Sequence, residues 1–313
     1  MTPTVQGLRG WHGRRVTSVV RGAGPAALVL TMVLVGCASV TEGGAFEGGG
    51  ESGPRAGPAP VRTEAGPPPA PRGAAAGLAD PAKKDLAMRL VSSAENSSLD
   101  WRRQYRYIQD IGDGRGYTGG LVGFCSGTGD MAKVVARYAA ARPGSALERY
   151  LPALHGVRGS ASHAGLGPPF VRAWQQAADT DPAFRAAQDA ERDKDYFDPA
   201  VRQGKADGLG TLGQFVYFDA YVMHGYGDSM GGDGFRTMRR TARQRAALPA
   251  DGGDEKAYLN AFLDARAASM RKEPAHRDTS RIDTAQRVFL REGNLTLRTP
   301  LVWKVYGDTF RVR

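Results

Sequence analysis

Residues 209–224 are apolar at almost every position, and that run is interrupted by a single charged side chain, Asp219. A helix that is apolar on all its faces has to be wrapped by the rest of the chain, so this segment predicts the central buried helix of a mostly helical body. Asp219 falls on the same face as Leu212, Val216 and Met223. A buried carboxylate is tolerable only with a cation beside it, which requires at least one arginine from another helix to reach it. Arg266, on the apolar flank of the segment carrying Tyr258, Leu259, Phe262 and Leu263, is the first candidate and Arg281 the second. The alternative is an Asp219 that turns to solvent.

The periodicity around this core is helical with one exception. Asp80 and Pro81 supply a capping oxygen and a first-turn proline, and Leu86, Ala87, Leu90, Val91 and Ala94 then share one stripe. Glu95 follows Val91 by four residues and projects at the edge of that stripe, where desolvation disfavours an ionised carboxyl. Between Trp101 and Phe124 the helical period disappears, and Asp113-Gly114 is a hairpin-turn pair, so a small antiparallel sheet is expected there. Residues 126–130 supply caps for a helix with Met131, Val134, Val135 and Tyr138 on its face. Further helices are predicted over 145–154, 169–178, 182–196, 199–224, 235–247, 255–270 and 280–292. The expected fold class is mainly α with a single small antiparallel β-sheet.

Two carboxyl groups at fixed separation, one protonated and one ionised, are what hydrolysis of a glycosidic bond needs. Glu95 at a helix end and Asp113 in a glycine-rich hairpin form such a pair. Both positions are also commonplace for structural carboxylates. Gly114, Gly116 and Gly119 spell a GxGxxG string, but in a predicted hairpin rather than between a strand and a helix, which excludes a dinucleotide site. The string Gly123-Phe-Cys125-Ser-Gly127 imitates a nucleophile elbow, with His155, His163, His224 or His276 as a base. A buried thiol acting as a small hydrophobe is the competing reading. With one cysteine in the folded part and no histidine at ligand spacing, neither a metal nor a cofactor is expected.

Arg9, Arg14, Arg15 and Arg21 precede the apolar run 26–35, which is too short to span a bilayer, so residues 1–36 read as an export signal. Leu34-Val35-Gly36-Cys37 resembles a lipobox, which would lipidate Cys37 and attach the chain to a membrane; an ordinary cleaved signal is the alternative. Residues 37–79 are Gly, Pro, Ala and Glu with too little apolar surface to fold, hence a tether, and 80–313 form the folded domain. The formal net charge is +10. Without the four signal arginines, and without the net −2 of residues 37–80, residues 81–313 carry +8. Such a domain attracts polyanions, and Arg236, Arg239, Arg240, Arg243 and Arg245 crowd one short helix that would be either a grip or a solvated face.

The strings SSAENSSLDW, YIQDIGDGRGYTGG, GFCSGTGDM, YFDPAV, ADGLGTLGQFVYFDA and DTSRIDTAQRVFL resemble those of bacterial chitosanases of glycoside hydrolase family 46, from about Asp80 to Tyr306. The resemblance implies a lysozyme-like fold, two mainly helical lobes flanking a substrate cleft, and inverting endo-hydrolysis of β-1,4 links between glucosamine units. It puts the general acid on Glu95 and the general base on Asp113, with Thr118 or Thr128 helping to hold the attacking water and Arg115 supporting the base. Asp130 matches a substrate-binding carboxylate, and Ser97, Tyr107, Tyr196, Glu273 and His276 match the cleft lining. Asp219, Arg266 and Arg281 match a buried ion network. Arg277 stands where the family leads one to expect an acid, which puts the affinity of that end of the cleft in question. The partner is then chitosan, a cationic polysaccharide met outside the cell; a monomer is expected, and no nucleic acid. The competing readings are a peptidoglycan muramidase, which the positive charge favours, and a non-catalytic surface lipoprotein binding anionic wall polymer through its arginine-rich helix.

Overall fold

The computed structural model describes residues 77–227, 233–272 and 277–313. The expected signal, Cys37, the tether up to residue 76, Glu273 and His276 lie outside the described residues. Helix α1 (Pro81–Asn96) begins as its cap implies, the Asp80 carboxylate accepting the backbone N–H groups of Ala82 and Lys83 at 3.0 and 3.1 Å. Ahead of it, Gly77–Ala79 make one 3-10 turn. Leu78 there is fully buried and donates its N–H to Gln214 Oε1 at 2.9 Å, so the packed body takes in residues that composition alone leaves in the tether.

A 3-10 stretch (Trp101–Arg106) precedes the sheet and buries Trp101 and Tyr105. Strands β1 (Ile108–Asp110), β2 (Tyr117–Gly119) and β3 (Phe124–Cys125) then pair antiparallel in that order, with Ile108 opposite Gly119 and Thr118 opposite Cys125. Helices α2 (Asp130–Ala141), α3 (Leu151–Gly156), α4 (Pro168–Thr180) and α5 (Pro182–Arg192) complete a first lobe in which α2 and α4 both pack on α5. The cap of α2 departs from expectation: Gly129, at φ 89°, occupies it without a side-chain hydrogen bond, and Asp130 is the first helical residue.

Helix α5 runs through a π turn (Asp193–Phe197) into α6 (Asp198–Ala206), which packs on α7 (Thr211–His224) in a second lobe. As the hydrophobic run requires, α7 is buried without a break from Thr211 to Tyr221. Helices α8 (Phe235–Arg243), α9 (Glu255–Lys272) and α10 (Arg287–Arg291) surround it, the last entered through a second π turn (Ile282–Gln286). Helix α1 touches both the 3-10 stretch of the first lobe and α7 of the second, so it and the α5–α6 segment join the lobes.

Two expectations are corrected. The helix predicted over 199–224 is two helices, because Gly208 takes a φ of 76° where a Cβ would stand 2.6 Å from the Ala250 nitrogen. The released Asp207 accepts from Arg239 at 2.6 and 2.7 Å and from the Tyr217 hydroxyl at 2.7 Å. The single sheet is in fact two, since β4 (Leu301–Val305) and β5 (Asp308–Val312) form a C-terminal hairpin with Leu301, Trp303 and Val305 facing inward. Trp303 donates its indole N–H to Ser93 Oγ of α1 at 2.9 Å.

Leu78→Ala should lower folding stability by about 2–5 kcal/mol, the usual cost of emptying a fully buried leucine site. Urea denaturation of the two proteins measures it.

Candidate active site

Helix α1 delivers Glu95 directly after its last buried residue, Ala94, and then stops, with Ser97 in the left-handed region (φ 49°) and its N–H returned to the Ser92 carbonyl. The Glu95 side chain is 23 % exposed, and its Oε1 lies 2.8 Å from an Arg281 guanidinium nitrogen, as an ion pair and not an aligned hydrogen bond. Its surroundings thus combine partial burial with a cation, where sequence reasoning had only desolvation. Arg281 gives its other terminal nitrogen to Asp219 Oδ1 at 2.7 Å. Asp219 Oδ2 accepts from Arg266 and from the Gln286 amide, both at 2.6 Å. Burial alone would raise the Asp219 pKa, but the charges of Arg281 and Arg266 outweigh it and hold the carboxyl well below the usual range. Burial also works against the charged form of Arg281, and there the carboxylates of Asp219 and Glu95 prevail, so its pKa lies above the ordinary arginine value.

Asp113 occupies the loop between β1 and β2. Its Oδ1 accepts the backbone N–H of Arg115 at 3.0 Å, and its Oδ2 accepts from Arg115 Nε and Nη2 at 2.8 and 2.6 Å. One residue therefore clamps both oxygens. The loop is held down where Gly127 donates its N–H to the Arg115 carbonyl at 2.9 Å; a Cβ on Gly127 would meet the Ser160 carbonyl at 2.3 Å. On the other flank, His163 Nε2 stands 3.1 Å from Asp110 and its ring stacks on Tyr117 at 4.2 Å. The GxGxxG string is thus hairpin architecture, as its context implied.

Tyr107 points a buried hydroxyl without a hydrogen-bond partner toward this neighbourhood, and burial followed by the Asp113 charge raises its pKa, so it remains a donor. Asp130 Oδ2 accepts from the Tyr196 hydroxyl at 3.0 Å and lies 2.9 Å from the Thr128 hydroxyl, for whose single proton the Cys125 carbonyl at 3.1 Å competes. Thr128 therefore serves Asp130. Thr118 is buried with its hydroxyl 3.4 Å from Cys125 Sγ. Burial pushes the Cys125 thiol pKa up and Arg115 offsets this only in part, the reverse of an activated nucleophile. Among the described residues no cluster of three metal-ligating side chains occurs, and no helix is long and apolar enough to cross a membrane.

Sequence reasoning missed three participants. Lys133 stands 3.7 Å from Asp130 and 2.6 Å from Asp195, tempering the negative charge there. The exposed Tyr306, at the turn of the C-terminal hairpin with φ 52°, lies within electrostatic reach of Arg281 and Glu95. Its N–H is held by Ser280 Oγ at 2.9 Å. Gln286 completes the shell of Asp219. The Tyr306-Gly307-Asp308 turn was the available signal for the second of these.

A mainly helical, two-lobed body of lysozyme-like organisation, with separate carboxyl groups braced by separate arginines, defines a glycoside hydrolase. The sequence pattern of Glycosyl hydrolase family 46 matches residues 89–301, and the chain belongs to that family. A chitosanase of Streptomyces sp. strain N174 is 62 % identical over 237 residues, covering 76 % of this chain and 84 % of that one. A chitosanase of Bacillus subtilis strain 168 is 37 % identical over 230 residues, covering 70 % and 80 %. A chitosanase solved as a co-crystal with substrate superposes with a TM-score of 0.73 at 59 % identity, covering 77 % of this chain and all of that one.

Asp219→Asn should cost about 3–5 kcal/mol by leaving the two guanidiniums under-compensated. Because the native Asp219 pKa is depressed, its contribution is full above the unfolded value of about 3.9 and is lost as pH falls below it. Urea midpoints of both proteins between pH 3 and 7 should differ by a constant amount above about pH 5, and the difference should begin to shrink as pH falls below about 4.

Proposed function

We propose that the chain is an exported, inverting endo-chitosanase with Glu95 as general acid and Asp113 as general base. The observation that carries the reading is the pair of carboxyls held by different arginines, Glu95 against Arg281 and Asp113 in the Arg115 clamp, in a chain 62 % identical to a chitosanase. With Oε1 turned to Arg281, Glu95 Oε2 is left to carry the proton to the leaving glycosidic oxygen. Asp113, its orientation fixed by three hydrogen bonds from Arg115, takes a proton from a water on the opposite face of the sugar. Inversion calls for a carboxyl separation of about 6.5–9.5 Å, enough to seat that water.

Asp130 supplies the negative charge that an ammonium-bearing sugar requires, with Tyr196 and Thr128 holding its carboxylate in place. A neutral acetamide could not use that charge, which favours glucosamine over its acetylated form. Ser97, Tyr107, Thr118, Glu273 and His276 are carried as site residues on the family resemblance. The muramidase and wall-binding readings rest on net charge, and the wall-binding reading leaves the Glu95 and Asp113 pair without a purpose. Export follows from residues 1–36, and lipidation of Cys37 would anchor the enzyme; the mass of the mature N-terminal peptide distinguishes an anchored from a released form.

Glu95→Gln and Asp113→Asn should each lower turnover of chitosan by about 10²–10⁴ while the proteins remain folded, as circular dichroism would show. Reducing-end release measures the rate, and NMR of the first products should show the α-anomer. Near-parental turnover by either variant, or a β-anomeric product, sinks the assignment.

A further inference from the structure

The excess positive charge of the folded unit is concentrated where the proposed reaction has no use for it. Between Phe235 and Ala247 there are five arginines and no acid, in a domain whose total excess is +8. One of them is structural, since Arg239 holds the buried Asp207 with two hydrogen bonds. Arg236, Arg240 and Arg243 are exposed and have no carboxylate partner among the described residues. Arg240 donates to Thr237 Oγ1 at 3.0 Å, and Arg236 lies 5.8 Å from the centre of the Tyr226 ring. At spacings of four and three residues the three share one face of α8, about 6 and 4.5 Å apart along its axis. Like charges so placed repel one another unless an anion lies between them.

That face is concave. A cavity of about 480 Å³ opens between α8, Gln203 of α6 and Tyr226 just beyond α7, lined by these arginines and Gln244. None of its lining residues belongs to the carboxylate site. We propose that this cavity is an anion-binding site for a soluble phosphate-bearing polymer, whose successive phosphate groups are held by Arg236, Arg240 and Arg243. Guanidinium forks match phosphate oxygens two at a time, and the three repeat along a line as the charges of a polymer do. A phosphate diester also stays fully ionised in mildly acid solution, where the amines of chitosan are charged and carboxylates of pKa about 4 begin to take up protons. A concave, linear array suits a strand better than a flat lipid surface. The site would hold the enzyme to an anionic polymer while the separate carboxylate site works on a cationic chain.

The test is calorimetric titration of the full chain with linear sodium polyphosphate and with inorganic phosphate at several sodium chloride concentrations. Wild type should bind polyphosphate at least about tenfold more tightly than inorganic phosphate. The triple variant R236Q/R240Q/R243Q should lose about tenfold or more, with the slope of log K against log salt falling by about 2, as expected for three lost phosphate contacts. It should hydrolyse chitosan at the parental rate, so the outcome is independent of the catalytic assignment. The control R291Q/R298Q/R311Q removes the same charge from exposed arginines elsewhere and should keep most of the affinity. Equal losses in the two triple variants, no preference of wild type for the polymer, or binding to phosphatidylglycerol vesicles without binding to polyphosphate would each overturn the proposal.

Discussion

Asp219 is enclosed between Arg266 and Arg281, and the charge count of that enclosure does not close by itself. Two guanidiniums meet one carboxylate in the middle of the second lobe, so a second anion is needed nearby, and Glu95 is that anion. Desolvated ions are costly unless they balance. The position of the proposed acid is therefore set by the electrostatics of the core as much as by the fold of α1.

The core was legible in the sequence because burial leaves a periodic trace. The unbroken apolar run identified α7, and a single carboxylate inside it demanded a cation; Arg266 and Arg281 both reach it. The cap at Asp80 and the hairpin at Asp113-Gly114 were legible for the same local reason. Features that depend on one inserted residue or one close approach left no such trace. Both π turns are of this kind, and each carries a site residue: Tyr196, aimed at Asp130, lies in the first and Gln286, aimed at Asp219, in the second. The break at Gly208 reflects contact with a backbone forty residues away, and Lys133 reads from sequence as an ordinary exposed helix lysine. Trp303 and its neighbours alternate as a strand should, but five residues near a chain end were too short a pattern to separate from a loop.

A positively charged domain and a cationic substrate are compatible when the charges are segregated. Asp113, Asp130 and Asp195 gather in the first lobe, partly tempered by Arg115 and Lys133, while the uncompensated arginines crowd α8 in the second. At moderate salt a separation beyond about 8–10 Å screens one region from the other. The domain total is then a poor guide to what either face attracts.

The hydrogen bond from Trp303 to Ser93 joins residues 210 positions apart, and the Lys83 ammonium reaches the Leu297 carbonyl across 214. Helix α1 is thus completed by strands made more than two hundred residues after it. Contacts of such long sequence separation form late and slowly. A nascent or partly translocated chain consequently lacks the packing behind α1 until residues 297–312 have emerged, so folding of this helix waits on sequence made more than two hundred residues after it.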